Sequence, residues 1–357
     1  MASCHRSWFW GGASFVLLLA SWGVPARGQV AASGVDGDSA AAATRAARLL
    51  MASLDETQRS RALHPLAGDE RFELRLAPLP PWGGLPLGEM ELTQVVLLHQ
   101  LLGASLSAQG FAKVTGIVAL EDFLVRDERA RGRVVPVHGI ERYSLAVFGD
   151  PQPGDTWGWR LQGHHLSVNF LVTPQGVTAS APAFLGAQPH RFEQGPNAGW
   201  RVLAAEEDRG RALLAALDET QRSRARLAAE MPRDMFAGAH REYDLGEPRG
   251  VAFGELRPEA QVLLRELVDE FLGNVRGGAA ERRRAAVARG GWQAVRFAFI
   301  GGESAEDRLY YRVHGPEFLL EYCAVAQSPN HVHTIWRERD GDFGRDLLAE
   351  HMRTSEH

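Results

Sequence analysis

The sequence predicts an α+β fold in which one ancestral unit is used twice. The nine residues at 54–62 return unchanged at 217–225, about 160 residues later. Further on, 146–149 is echoed by 298–301, and the segment that follows each of them is also similar. Similarity in the same order over about 160 residues indicates an internal duplication. We therefore expect two units, 45–203 and 204–352, packed with a pseudo-twofold relation.

Each unit is predicted to begin with helices. In the first unit an alanine-rich stretch, 41–60, and the segment 92–106 carry apolar residues at helical spacing. In the second unit the corresponding helices are 205–230 and 258–272. Pro258 suits a first helical turn, where its missing N–H group has no partner in any case.

Strand signals follow the helices in both units. Short β-rich runs separated by polar turns predict an antiparallel meander in each unit. The runs are 143–148, 157–161 and 166–172 in the first unit, and 295–300, 309–313 and 318–325 in the second. Helices followed by a meander in each unit give the α+β class.

Composition sets broad limits on function. The chain has 357 residues, of which 45% are hydrophobic and 23% charged, as in an ordinary globular protein with a sizeable core. The net charge of −5 gives no electrostatic reason to expect a nucleic-acid partner. Lys113 is the only lysine, and so the only candidate for Schiff-base or lysine-base chemistry.

The N-terminal segment resembles a secretory signal peptide. Arg6 precedes an apolar stretch, 8–24, that ends in small residues, so we expect a signal peptide at 1–28 and a flexible lead-in at 29–44. Residues 353–357 are expected to form a tail. No later stretch is long and apolar enough to span a bilayer, so we expect an exported protein without stable membrane insertion. After cleavage Cys323 is the only cysteine, which excludes an intramolecular disulfide and favours a buried apolar role.

Histidines and carboxylates are predicted to share one face of the strands. In 164–172, His165, Ser167 and Asn169 alternate with apolar residues, and alignment of the two units places Glu317 and Glu321 on the matching face. His331 and His333 point the same way from a later strand. A hairpin loop of three or five residues turns them towards Glu321 and Cys323, whereas a four-residue loop turns them away.

These residues predict a metal site. Two imidazoles at i and i+2 on a strand can bind one ion, and His165 and Glu321 are the candidates for the remaining ligands beside His331 and His333. Neutral or anionic ligands with one open position suit a divalent zinc, copper or iron ion. A metal-bound water is then the nucleophile of a hydrolase, with Glu317 or Asp342 as its base.

Two other functions and a purely structural role stay open at this stage. The predicted substrate contacts are His164, Asn169, Trp157, Trp159 and Trp336. In the first alternative, the tryptophans and Tyr311 line a cleft that binds a carbohydrate or peptide without catalysis. In the second, the metal is copper and the protein is a redox protein. Alternatively, the histidines are structural, because His-x-His on a strand is a common accident and Asp340-Gly341-Asp342 is ordinary turn chemistry.

Two longer motifs resemble those of a known family. The run 157–169, Trp-Gly-Trp-Arg-Leu-Gln-Gly-His-His-Leu-Ser-Val-Asn, is similar to the Gly-Trp-x-Leu-x-Gly-His-His-Leu signature of the domain of unknown function 3500 family. The tail resembles that family's closing His-x-His-Thr and Asp-Tyr/Phe-Gly-x-Asp-Leu-Leu pattern, at 331–334 and 342–348. The resemblance covers about residues 45–352 and implies a largely bacterial, often exported group without an assigned function. It supplies no catalytic residues.

Overall fold

A computed structural model describes residues 36–354, apart from 76–81, 134–137, 228–229, 303, 305 and 327. The predicted signal peptide, the start of the lead-in and residues 355–357 lie outside this range. Within it, every helix is either too short or too polar to cross a lipid bilayer.

The described residues form nine α-helices. Their bounds are α1 Asp36–Ser53, α2 Glu56–Ala62, α3 Leu92–Ser105, α4 Ala108–Ala130, α5 Ala204–Ala216, α6 Glu219–Ala225, α7 Pro258–Leu272, α8 Gly277–Gly290 and α9 Arg345–Thr354. Helices α3 and α7 lie where the sequence predicts them. Helix α1 starts at Asp36, inside the segment predicted as a flexible lead-in, so 36–44 is helical.

Capping boxes divide the two other predicted helices. Asp55 accepts a 2.8 Å hydrogen bond from the Gln58 N–H, and the Gln58 side chain accepts one from the Asp55 N–H. Asp218 and Gln221 repeat the arrangement in front of α6. Such reciprocal bonds satisfy backbone donors that have no partner inside a helix, and so they mark a new helix start. The predicted helices 41–60 and 205–230 are therefore each two helices.

Helix α4 was not predicted, because polar residues interrupt its apolar pattern. Lys113 and Glu121 are both buried on the inward face of this helix. The Lys113 ammonium donates to Glu206 at 2.6 Å and to Glu270 at 2.7 Å, which ties α4 to α5 and α7. The one lysine is thus held in two ion pairs between helices.

Twelve strands form a single mixed sheet in the described residues. Their bounds are β1 Leu63–His64, β2 Leu85–Pro86, β3 Ser144–Phe148, β4 Trp157–Gly163, β5 Leu166–Val172, β6 Thr178–Ala179, β7 Ala183–Ala187, β8 Val251–Ala252, β9 Arg296–Gly301, β10 Leu309–His314, β11 Phe318–Ala324 and β12 Val332–Glu338. The main order is β1-β3-β4-β5-β7-β12-β11-β10-β9-β8, with β2 on β3 and β6 on β5. All pairs are antiparallel except β1–β3, which is parallel.

The two predicted meanders, β3–β5 and β9–β11, lie on opposite sides of the sheet centre, where β7 pairs with β12. Both meanders therefore belong to one continuous sheet rather than to two packed layers. Descent of the two halves from one duplicated unit stays a prediction.

The sheet is buried on both faces. One face packs against the helices in a large apolar core, and the other is covered by irregular segments that include Leu74, Met235 and Ala237. On this second face buried polar side chains hold the covering backbone. Arg160 donates to the Glu70 and Glu73 carbonyls, and Arg337 donates to the His240 carbonyl. The face predicted as polar is thus polar but shielded from solvent.

Candidate metal centre

Three histidines meet where β5 and β12 begin and β7 ends. His165 closes the two-residue turn between β4 and β5 at φ +63°, a left-handed conformation that histidine tolerates better than most side chains. His333 lies in β12 directly opposite Cys323, and His331 immediately precedes that strand. His333 therefore faces the side of the sheet that carries Cys323 and Glu321, as a loop with an odd number of residues requires.

Gly186 on β7 makes room for the imidazoles. It pairs with His333, and its N–H donates a 2.7 Å hydrogen bond to the His165 carbonyl. A Cβ atom at this position would lie 2.9 Å from the Cδ2 atoms of both His165 and His333. The residue between the two rings must be small for them to approach each other.

The three Nε2 atoms converge. Nε2 of His331 lies 2.9 Å from Nε2 of His165 and 3.2 Å from Nε2 of His333. An ion bound at about 2.0–2.1 Å to two nitrogens separates them by roughly 2.9–3.4 Å for angles between octahedral and tetrahedral. The nitrogens are therefore spaced as ligands of one ion.

Asp234 fixes the proton of His333. Its Oδ1 atom lies 2.9 Å from Nδ1 of His333, which places the proton on Nδ1 and leaves a lone pair on Nε2 of the neutral ring. A neutral His331 Nε2 carries either one proton or one lone pair. With a lone pair it repels the lone pair of His333, and with a proton it has one hydrogen for two neighbouring nitrogens. A cation between the nitrogens, bound by a lone pair from each ring, removes this conflict.

Burial favours the neutral form of two of these rings. Burial, together with the neighbouring histidines, holds the pKa of His165 well below its usual value. Burial, with His333 next to it, lowers the pKa of His331 to about 3. Burial raises the pKa of Asp234, but the hydrogen bond and charge interaction with His333, together with the Met235 N–H, outweigh it, and the net shift is downwards. Neutral imidazoles beside a carboxylate are the state in which a metal ion binds.

A second group adjoins the first. Glu121, His138 and His164 each offer one ligand atom, and these atoms lie within 4.8 Å of one another, as do those of the three-histidine group. Nδ1 of His164 is 2.8 Å from Glu121 Oε2, and its ring stacks on His165 at 3.7 Å between centroids. His164 was predicted to contact substrate; instead it is paired with a carboxylate and buried.

Glu321 does not join the histidines, contrary to the predicted ligand set. Its oxygens accept hydrogen bonds from the Phe236 and Ala237 N–H groups, at 3.1 and 2.8 Å, and from the Tyr310 hydroxyl. These bonds anchor the covering segment, and burial raises the Glu321 pKa.

The two predicted catalytic carboxylates lie at the opposite end of β11 and β12 from the histidines. Glu317 precedes β11, six residues before the Cys323–His333 pair, which is roughly 20 Å along the strand. Asp342 follows β12 at the same end and is held by Arg337 and by the Glu338 N–H. Neither carboxylate reaches a water molecule on the histidines.

The predicted aromatic cleft is wrong as well. Trp157, Trp159, Tyr311 and Trp336 are at most 1% exposed and belong to the core between sheet and helices. Trp159 stacks on Phe170 and Trp336 on Phe318. Asn169 is also buried and donates to the Pro182 carbonyl at 2.9 Å. Aromatic residues that alternate along a strand can line a cleft or pack in a core, and the sequence pattern is the same in both cases.

Sequence reasoning missed Asp234, Glu121, His138 and Gly186. They lie on an irregular segment, an unpredicted helix, a loop and an unpredicted strand, so no periodicity related them to the histidines. The only available signals were a polar residue on the apolar face of α4 and the small residue of β7.

Comparison with known proteins adds the family. No curated protein and no solved structure matches the chain. The family model described as "Protein of unknown function (DUF3500)" matches residues 36–345, a range that contains all the histidines, carboxylates and glycine of the centre. The chain therefore belongs to the DUF3500 family.

Proposed function

We propose that the protein is an exported, metal-dependent hydrolase whose divalent ion is bound by His165, His331 and His333. The observation that carries the proposal is the convergence of three imidazole Nε2 atoms, with His331 at 2.9 and 3.2 Å from the other two. Three neutral nitrogen ligands leave the ion its full charge and an open position. An ion of this kind lowers the pKa of a bound water to about 7 and supplies hydroxide near neutral pH.

Other residues position the centre rather than react. Asp234 orients His333 from a partly exposed position, since 41% of its side chain is accessible. His331 is half-buried, whereas His165 and His333 are buried. Solvent and substrate therefore approach from the side of His331 and Asp234.

Zinc is favoured over copper by the donor set. The Cys323 thiol lies on β11 opposite His333, yet the groups that share a ligand sphere in the described residues include no sulfur. Burial also raises the pKa of this thiol, which opposes the thiolate that blue-copper chemistry needs.

Metal analysis of tag-free protein tests the proposal. We expect stoichiometric zinc in the wild type and less than a tenth of it in the double variant His331→Ala, His333→Ala. His314→Gln, which changes a buried histidine outside the centre, should keep the metal. The metal-loaded protein should hydrolyse a panel of chromogenic esters and phosphoesters, and chelation should remove that activity.

A correctly folded wild type without stoichiometric metal would contradict the proposal. A paramagnetic Cu²⁺ spectrum in protein purified from cells would replace hydrolysis by redox chemistry. N-terminal sequencing of the secreted or periplasmic fraction checks export, and an intact 1–28 segment there would contradict cleavage.

A further inference from the structure

We propose that Glu121, His138 and His164 bind a second divalent metal ion, so that the centre holds two metals. This inference rests on the proposed function, because the second ion adjoins the first. The three side chains come from α4, from the segment that follows it and from the β4–β5 turn. Their ligand atoms lie within 4.8 Å of one another.

The second group is oriented in the same way as the first. Glu128 Oε2 lies 3.0 Å from Nδ1 of His138, which leaves Nε2 of a neutral ring as the donor to an ion. Asp234 and His333 show the same arrangement at the first site. The Gly139 N–H donates to Glu121 Oε1 at 3.0 Å and so fixes the carboxylate, whose Oε2 lies beside His164.

Among the described residues, the buried carboxylates Glu206, Glu207 and Asp342 each pair with a lysine or an arginine, whereas Glu121 does not. It is 2% exposed, and in the described part of the chain its only ion-pair partner is His164. Glu207 is buried to the same degree and also pairs with a histidine, His190 at 2.8 Å, but Arg201 and Arg211 neutralise it. An ionised carboxylate in a dry site needs a positive partner, and at Glu121 a metal ion supplies it.

The two groups are close enough to act together. His164 and His165 are consecutive, their ring centroids are 3.7 Å apart, and each ring belongs to a different group. The left-handed backbone of His165 allows a two-residue turn to present both rings side by side. Asp234, Glu121 and Glu128 carry three negative charges near the centre, so two divalent ions leave one positive charge for a bridging hydroxide.

A two-metal centre defines a substrate class. Paired ions bind the attacking and the leaving oxygen of one displacement, as in hydrolysis of phosphate esters and of peptide-like amides. We therefore expect the substrate to present an anionic or strongly polarised oxygen that can bridge two ions.

Titration of the metal-free wild type with Co²⁺ tests the second site without any substitution. We expect two equivalents to bind per chain, and the paramagnetic signal of the first to weaken when the second couples to it. Metal analysis of Glu121→Gln, which removes the charge but keeps the shape, should then give one equivalent. His190→Gln disrupts the comparable His190–Glu207 pair and should still bind two.

The outcomes separate the two proposals. A wild type that binds one equivalent, lost in His331→Ala but retained in Glu121→Gln, would overturn the second site and leave the proposed function standing. A wild type that binds none would overturn both. Circular dichroism of each variant confirms that the fold is intact.

Discussion

The polar side chains at the two ends of β12 have different kinds of partner. At its start, His331 and His333 face His165, and three similar imidazoles lie together with one carboxylate, Asp234. At its end, Arg337 pairs with Asp342, which also accepts a hydrogen bond from the Glu338 N–H, and the Glu338 carboxylate accepts one from the Trp336 indole. The Arg337 end is buried, whereas Asp234 leaves the histidine end partly open to solvent. Five residues of one strand separate His331 from Arg337.

The difference shows how to recognise a ligand site. The Arg337 end is self-sufficient, because positive and negative groups neutralise each other. At the histidine end, the three Nε2 atoms have too few protons to hydrogen-bond with one another. A bound cation would pair with their lone pairs. The sequence analysis chose Glu317 and Asp342 as polar residues near the predicted strands, and both lie at the Arg337 end. Whether the charges at each end neutralise one another distinguishes the two ends.

The largest effect is expected at the self-sufficient end. Arg337→Met leaves the buried Asp342 carboxylate without its cation, and we expect the free energy of unfolding to fall by about 3–5 kcal/mol. Urea unfolding measures the loss. Arg345→Met, which breaks an exposed pair with Glu242, should cost less than about 1 kcal/mol. A loss of metal in Arg337→Met without loss of fold would show that the two ends are coupled.

Gly186→Ala attacks the histidine end without touching a ligand. The added Cβ would push against the rings of His165 and His333, and we expect metal affinity to fall about 30-fold, a cost of about 2 kcal/mol. Competition with a chromogenic chelator measures it. Gly103→Ala in α3, whose Cβ would meet nothing within 4 Å, is the control and should leave affinity unchanged. Equal affinities in both variants would mean that ring spacing does not matter.

Acid should destabilise the protein through His314, which lies beside Leu319 in the same row of the sheet as Arg337. Burial, aided by Arg312 and Arg339, lowers the pKa of His314 to about 4. Because the unfolded ring titrates near 6.5, its contribution to stability is complete above that pH and is lost as the pH falls from 6.5 towards 4. We expect the wild type to lose up to about 2 kcal/mol more than His314→Gln between pH 7 and pH 5. Parallel stability curves for the two proteins would contradict this.

The smallest effect is expected from Asp234→Asn. The substitution weakens the orientation of His333, and we expect metal affinity to fall about tenfold with little change in unfolding free energy. Isothermal titration with zinc measures it. Asp122→Asn, in an exposed pair with similar accessibility, should bind zinc as the wild type does. Wild-type zinc affinity in Asp234→Asn would show that His333 binds the metal without the help of the Asp234 carboxylate.

Local signals were sufficient for much of the fold. Alternation in 166–172 predicted β5 at its observed bounds, and Pro258 marked the start of α7. These features depend on neighbouring residues, which a sequence displays directly.

The rest depends on contacts between distant segments. Asp234 lies 99 residues from His333, and Glu121 lies 43 residues from His164. The burial of Trp157 and Trp336 follows from helices packed over the sheet, and the position of Asp342 from the turn that Arg337 closes. Neither hydrophobic periodicity nor a sequence motif indicates which distant segments come into contact. The histidines could therefore be predicted from the sequence, but their carboxylate partners could not.

The ion pairs of Lys113 have a practical consequence. Since this residue carries the only side-chain amine of the sequence and lies between three helices, acylating reagents reach it only when that helical layer opens. The rate at which Lys113 is labelled, followed by mass spectrometry, therefore measures how often the helices around it separate.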